Sequence, residues 1–188
     1  MSRSLALLSV LVSLLRITEG QTFHWGQCPE PPTQENFTLS QYVGKWYEIE
    51  KLPMIFKKGN CIQTNYSLEK NGKIKVLKKE LLSDGRINQV EGNAVQTDED
   101  PAKLRVNFSF FMPCAPHSIL STDYASYSVV YSCKSFLKLF HANFAWILSR
   151  TPQLNPEVVE QLKNLLRSYN IDTKKMMPTN QMNCPPKM

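Results

Sequence analysis

The chain has 188 residues, of which 42% are hydrophobic and 20% charged, and its formal net charge is +6. That mildly basic balance favours solubility and tolerates anionic surfaces without demanding a nucleic acid partner. Five cysteines are present, none in a C-x-x-C pair, which removes support for a zinc ribbon or a thioredoxin-like site.

The first 20 residues carry Arg3, an apolar run from Leu5 to Leu15, and small or polar residues before Gln21. This reads as a secretory signal peptide, because the run is shorter than the about 20 residues a membrane span needs. Residues 21–188 then form one domain with a sizeable core. In a secreted chain, four of Cys28, Cys61, Cys114, Cys133 and Cys184 pair as two disulfides and one is left over. Spacing alone leaves open which one. Sequons at Asn36, Asn65 and Asn107 are N-glycosylation candidates and predict solvent exposure there.

In chain order, Gly44-Lys45-Trp46-Tyr47-Glu48-Ile49-Glu50 opens the first long strand. Glycine permits a tight entry and close backbone approach, and a Trp two residues later suits the floor of a closed barrel; an ordinary core Trp is the alternative. Cys61 to Leu68 alternates apolar and polar, Asn71-Gly72 is a hairpin signal, and Lys73 to Leu82 returns. Asp84-Gly85 marks a second hairpin into Arg86–Thr97. Leu104–Met112 alternates again, and strands near Ile119–Tyr124, Ser126–Cys133 and Asn143–Arg150 follow. About eight strands joined by tight turns predict an all-β antiparallel meander. Asn155-Pro156-Glu157 then signals a helix start, and Val158, Val159, Leu162, Leu165, Leu166 and Tyr169 recur at helical spacing. One amphipathic helix over 156–168 thus lays its apolar stripe on the barrel wall. The polar tail, 171–188, is anchored at Cys184.

Three separated motifs, Gly44-x-Trp46, Thr122-Asp123-Tyr124 and Arg150, stand in order with the signal peptide and the meander. Together they resemble the full signature of a kernel lipocalin, and the similarity runs through nearly all of residues 21–188. The resemblance implies an eight-stranded up-and-down barrel over about 44–150, closed at one end, holding a small hydrophobic ligand. It implies that Arg150 stacks on Trp46, and that Gly44, Trp46, Thr122, Asp123, Tyr124 and Arg150 are structural. It also implies disulfides Cys28–Cys133 and Cys61–Cys184. Relatives carry a spare cysteine two positions beyond Cys133, where this chain has Ser135; here the spare is Cys114, so their covalent partner is not carried over.

Strand parity sorts the side chains. With Asn65 outward, Tyr66 points in together with Ile62, Thr64 and Leu68; with Asn107 outward, Leu104, Val106, Phe108, Phe110 and Met112 point in. Phe144, Trp146 and Leu148 share the inner face of the last strand, while Ala145 and Ile147 meet the helix. A cavity lined by Tyr66, Phe108, Phe110, Met112, Phe144 and Trp146 suits a fatty acid such as arachidonate, a steroid or another lipid; a small solid barrel is the alternative. Lys78 falls on the inner face of its strand, a position where it selects carboxylate ligands, or else snorkels to solvent at the rim.

No catalytic motif emerges. His24, His117 and His141 stand singly, no metal or cofactor is indicated, and Glu48 and Glu50 read as a solvated strand edge without a partner. The reading is therefore a monomeric carrier and not an enzyme. Rivals are a lipid-hydroperoxide reductase using Met112, a prostaglandin-isomerising enzyme using a thiol such as Cys114, and a protein of lipoprotein or membrane surfaces. Cys114 also offers an intermolecular disulfide.

Overall fold

The computed structural model describes residues 23–53, 59–108 and 116–188. Ten strands lie among them: β1 (Phe23–Trp25), β2 (Gly44–Lys51), β3 (Asn60–Leu68), β4 (Ile74–Leu81), β5 (Ile87–Gln96), β6 (Lys103–Asn107), β7 (Pro116–Thr122), β8 (Tyr127–Phe136), β9 (Phe140–Ser149) and β10 (Met177–Pro178). β2 to β9 pair with their sequence neighbours, and β9 pairs back with β2, closing an eight-stranded antiparallel barrel. Short β1 and β10 are additions to this wall that the sequence did not announce. A single turn of helix, α1 (Leu39–Tyr42), leads into β2, and α2 (Pro156–Ser168) follows β9.

The helix begins where Asn155 accepts a hydrogen bond from the Glu157 amide, with Pro156 at the first position where no amide is needed. Its buried stripe of Val159, Leu162 and Leu166 packs with Ala145 and Ile147 of β9 and with Leu120, Val129 and Tyr131. A second cluster fills the barrel itself around Tyr42, Trp46, Tyr66, Val76, Ile119 and Leu148. The strand alternation therefore serves two cores, one within the barrel and one between its wall and α2.

Both disulfides have the pairing the family implies, Cys28–Cys133 and Cys61–Cys184. The tail is anchored by more than its cysteine. β10 pairs with the upper half of β2, the Thr179 amide donates to the Ile49 carbonyl (2.8 Å), and the Cys61 amide donates to the Asn180 carbonyl (2.8 Å). Residues 177–181 thus form a stave between β2 and β3 where those strands part. Gln181 adds side-chain bonds to the carbonyls of Glu48 and Ile62.

Candidate functional site

The barrel floor fixes where the lumen begins. Arg150 lies 3.7 Å above the Trp46 ring, and its guanidinium donates to the carbonyls of Tyr124, Lys45, Gln41 and Tyr42. Trp46 Nε1 donates to the same Tyr42 carbonyl (2.9 Å). Gly44 has φ +102°, and a Cβ there would stand 3.2 Å from Arg150 Nη1. Glycine is therefore needed both for the backbone conformation and for the approach of the cation. Thr122 accepts from the Tyr124 amide and donates to the Tyr127 carbonyl, while Asp123 accepts from the amides of Ala125, Ser126 and Tyr127. These amides and the Ser126 hydroxyl hold the Asp123 carboxyl below its usual range against the opposing effect of its burial. Tyr42 closes the floor from α1, where burial pushes its phenol up to about 12.

Above the floor, the inner face of β9 carries Phe144 and Trp146, which stack at 6.4 Å and are only half-buried, while outward-facing Ala145 and Ile147 are fully buried beneath α2. Phe144 and Trp146 are thus wetter than Ala145 and Ile147, whereas Leu148, inward and nearer the floor, is buried. Phe108 is also half-buried against this interior. Gly92 makes room for it, since a Cβ there would come within 2.8 Å of the Phe108 ring and 2.5 Å of the Asn107 carbonyl. Tyr66 is buried at the floor, packed 5.6 Å from Tyr42, with its phenol pushed far up by burial. Phe110, Met112 and Cys114 lie outside the described residues.

The polar side chains of the lumen differ from the sequence reading. Glu48 is not on a solvated edge. It is 3% exposed, faces inward, and bonds Lys51 Nζ (2.6 Å) and the Thr179 hydroxyl of the stave (2.7 Å), with Lys78 Nζ at 3.8 Å. Glu50 does not share its face. The register of β2 on β9 shifts between the two, so Glu50 turns outward to Lys163 of α2 at 2.6 Å. Lys78 has a side chain 17% exposed, with its Nζ on the Glu48 carboxylate side of β4. Leu68, placed inward, is instead 51% exposed because β3 runs past the floor. Of the sequon asparagines, Asn36 and Asn107 are exposed and Asn65 is half-exposed on the outer face.

The histidines are not all single. His24 and His141 stack at 5.4 Å where β1 meets β9, and His141 Nδ1 donates to the Gly26 carbonyl. His117 lies 5.2 Å from Trp146 in the lumen, where burial first and Lys78 second lower its pKa to about 4. Unfolded histidine titrates near 6.5. Between about pH 6.5 and 4 the unfolded chain therefore binds a proton that the folded chain refuses, and stability declines as pH falls. His117→Gln should flatten this acid slope and recover up to about 3 kcal/mol near pH 4, read from urea midpoints across pH.

A family model described as a lipocalin-like domain matches residues 37–181. The chain is a lipocalin. Within the lipocalins it is similar to apolipoprotein D of Rattus norvegicus, 55% identical over 98% of both chains, and of Bos taurus, 53% identical over 98% of both. Among solved structures, lobster apocrustacyanin A1 has a TM-score of 0.77 at 22% identity, covering 88% of this chain and 94% of that one. Insecticyanin from Manduca sexta has a TM-score of 0.73 at 28% identity, covering 86% and 89%. The lipocalin fold and the likeness to apolipoprotein D support binding and carriage of a small hydrophobic ligand. No helix among the described residues is long and apolar enough to cross a membrane.

Proposed function

We propose that this lipocalin is a secreted, glycosylated carrier whose lumen holds a lipid bearing a carboxylate, a fatty acid such as arachidonate, in preference to a neutral steroid. The observation that carries the reading is the reversed wetness of β9: Phe144 and Trp146 face a space that solvent reaches, whereas Ala145 and Ile147 do not. A solid barrel would bury the inner pair first. Phe108 and Tyr66 extend the apolar lining. Two ammonium groups, Lys51 and Lys78, meet one carboxylate, Glu48, so that trio favours an anionic head group. Lys51 is the nearer lysine to Glu48, at 2.6 Å, and Lys78 stands at 3.8 Å. Residues 1–20 serve as the signal peptide, residues 21–188 as the single domain, and the protein acts as a monomer and a carrier rather than an enzyme.

The test is quenching of tryptophan fluorescence by arachidonate and by progesterone. Trp46 is buried beneath Arg150 and Trp25 is 89% exposed, so Trp146 should supply the ligand-sensitive signal. Saturable quenching that largely disappears in Trp146→Phe is the expected result; none in the intact protein refutes a lumen site for these ligands. Lys78→Asn should weaken arachidonate about tenfold, the equivalent of about 1.4 kcal/mol, and leave progesterone unchanged. An unaltered affinity ratio sinks the role of Lys78.

A second reading, contact with a lipoprotein or membrane surface, is favoured by the tip of the β8–β9 hairpin. It lies at the end opposite the floor and exposes Leu137 and Leu139 beside Lys138, near exposed Trp25. Apolar tips flanked by lysine suit an anionic lipid interface. The two readings are compatible, since a carrier that touches lipid there would exchange its ligand through the mouth.

A further inference from the structure

The lumen holds an imidazole as well as its lysines. His117 stands on the inner face of β7: it lies opposite Leu104 of β6 and shares its strand parity with Ile119, and both belong to the cluster inside the barrel. It is half-buried against the Trp146 ring at 5.2 Å. Its nitrogens form no hydrogen bond among the described residues, and neither is sealed from solvent. An imidazole so placed has a donor and an acceptor to offer whatever enters the space. Lys78 of β4 is near enough to act on it electrostatically, and Glu48 of β2 ties Lys78 to Lys51. Further along the same faces, Glu80 of β4 accepts from Asn88, and Lys134 of β8 lies over the Phe136 ring. β6 and β9 contribute Leu104 and Trp146, which carry no charge.

A carboxylate brought into this lumen gives up water against an aromatic wall and needs more than one donor in exchange. Lys78 supplies only part of that, since Glu48 already stands 3.8 Å from its ammonium. We propose that His117 is the second donor to the ligand's carboxylate and that a lipid acid enters this lumen together with one proton. The inference rests on the reading of the lumen as a carboxylate site, and adds to it a residue and a mode of coupling. Without ligand the imidazole is neutral above about pH 5, because burial first and Lys78 second lower its pKa to about 4. The arriving carboxylate changes the balance of charge. It pairs with the ammonium that opposed a proton on His117, and it sets an opposite charge within reach of the ring. A charge-assisted hydrogen bond is stronger than a neutral one, and an imidazolium beside the Trp146 ring gains a cation–π contact. Binding therefore raises the pKa of His117. Between about pH 4 and the raised value the complex holds one proton more than its separate parts, so affinity for a carboxylate rises as pH falls and levels off above that window. An uncharged alcohol or steroid gains nothing from the proton.

The experiment is titration calorimetry of the full chain with arachidonate at about pH 6, repeated in buffers of different ionisation heat so that protons taken up on binding are counted. Arachidonyl alcohol and progesterone are the uncharged controls. Arachidonate should take up at least about half a proton per molecule bound, and should bind roughly tenfold more tightly at about pH 6 than at about pH 8. The alcohol and progesterone should show neither effect. Nitrogen NMR of the unmutated protein should find the His117 ring neutral alone and an imidazolium with arachidonate, a readout that needs no variant. His117→Gln keeps an uncharged hydrogen-bond donor, and it should remove the proton uptake while arachidonate still binds. Saturable arachidonate binding without proton uptake overturns the inference. Uptake that survives in His117→Gln also overturns it, because the proton then sits on the ligand itself; in both cases carriage of the acid stands. No saturable binding of arachidonate overturns the inference and the carboxylate reading together.

Discussion

Arg150→Ala should lower the stability of the barrel by about 3 kcal/mol and its melting temperature by on the order of 10 °C. The Arg150 side chain makes five contacts that alanine cannot replace, one with a ring and four with carbonyls. It stacks 3.7 Å from the Trp46 ring, a partly desolvated cation–π contact of about 1–2 kcal/mol. It bonds the Tyr124 and Tyr42 carbonyls in part-buried positions, at 2.9 and 3.2 Å, and these lose a charged donor when it goes. Its bonds to the Lys45 and Gln41 carbonyls are exposed, so water takes them over at little cost, which keeps the total near 3 rather than 5 kcal/mol. Arg150→Lys should recover only the stacking part, because an ammonium on a flexible stem cannot span carbonyls of a loop, a helix and a strand. Trp46 is fully buried in the native protein, so its emission should shift to longer wavelength in the alanine variant. A loss below about 2 °C would mean that the floor is held by Trp46, Tyr42 and Tyr66 alone.

The floor was readable through the lipocalin resemblance carried by Gly44-x-Trp46, Thr122-Asp123-Tyr124 and Arg150, which implied the stack of Arg150 on Trp46; the glycine and the Trp alone left an ordinary core Trp open. The last strand was readable for a different reason, since a period of two set against the helical stripe of α2 leaves one assignment for Trp146 and one for Ala145. Glu48 and Glu50 defeated the same method. A register shift within β2 turns the second outward to Lys163, and no residue type in Glu48-Ile49-Glu50-Lys51 announces a bulge. Leu68 failed because parity says which way a side chain points but not where the floor ends. The pairing of His24 with His141 spans most of the chain, beyond any periodicity. Gly92 was passed over because its φ is ordinary and its purpose is space for Phe108, which only the neighbouring strand reveals. The tail was hardest of all: Met177-Pro178-Thr179-Asn180-Gln181 has no alternation and carries proline at its second position, yet it completes the wall, because the gap between β2 and β3 sets its hydrogen bonds.

That stave makes the two disulfides separable. Chain-entropy arguments treat them alike, since they span 105 and 123 residues and each should contribute about 5 kcal/mol by restricting the unfolded chain. Cys61→Ser/Cys184→Ser and Cys28→Ser/Cys133→Ser should therefore lose similar stability in urea. Their native states should differ. Without Cys184, residues 177–181 are held to the wall by the pairing of β10 with β2, the Thr179 and Cys61 amide bonds and the Gln181 side chain. A short two-residue strand pairing is at the low end of local stability, so this segment should open without global unfolding. Hydrogen exchange should show the Thr179 and Cys61 amides losing protection by a hundredfold or more in the first variant, while amides of β8 and β9 follow global stability alone. In the second variant all of them should follow global stability. Opening the stave also removes the Thr179 hydroxyl from Glu48 and admits water beside Lys51 and Lys78, so a carboxylate ligand should leave the first variant faster than the second. Identical exchange at Thr179 in the two variants would show that the backbone pairing of the tail holds without its disulfide, and that the bridge acts on the unfolded chain alone.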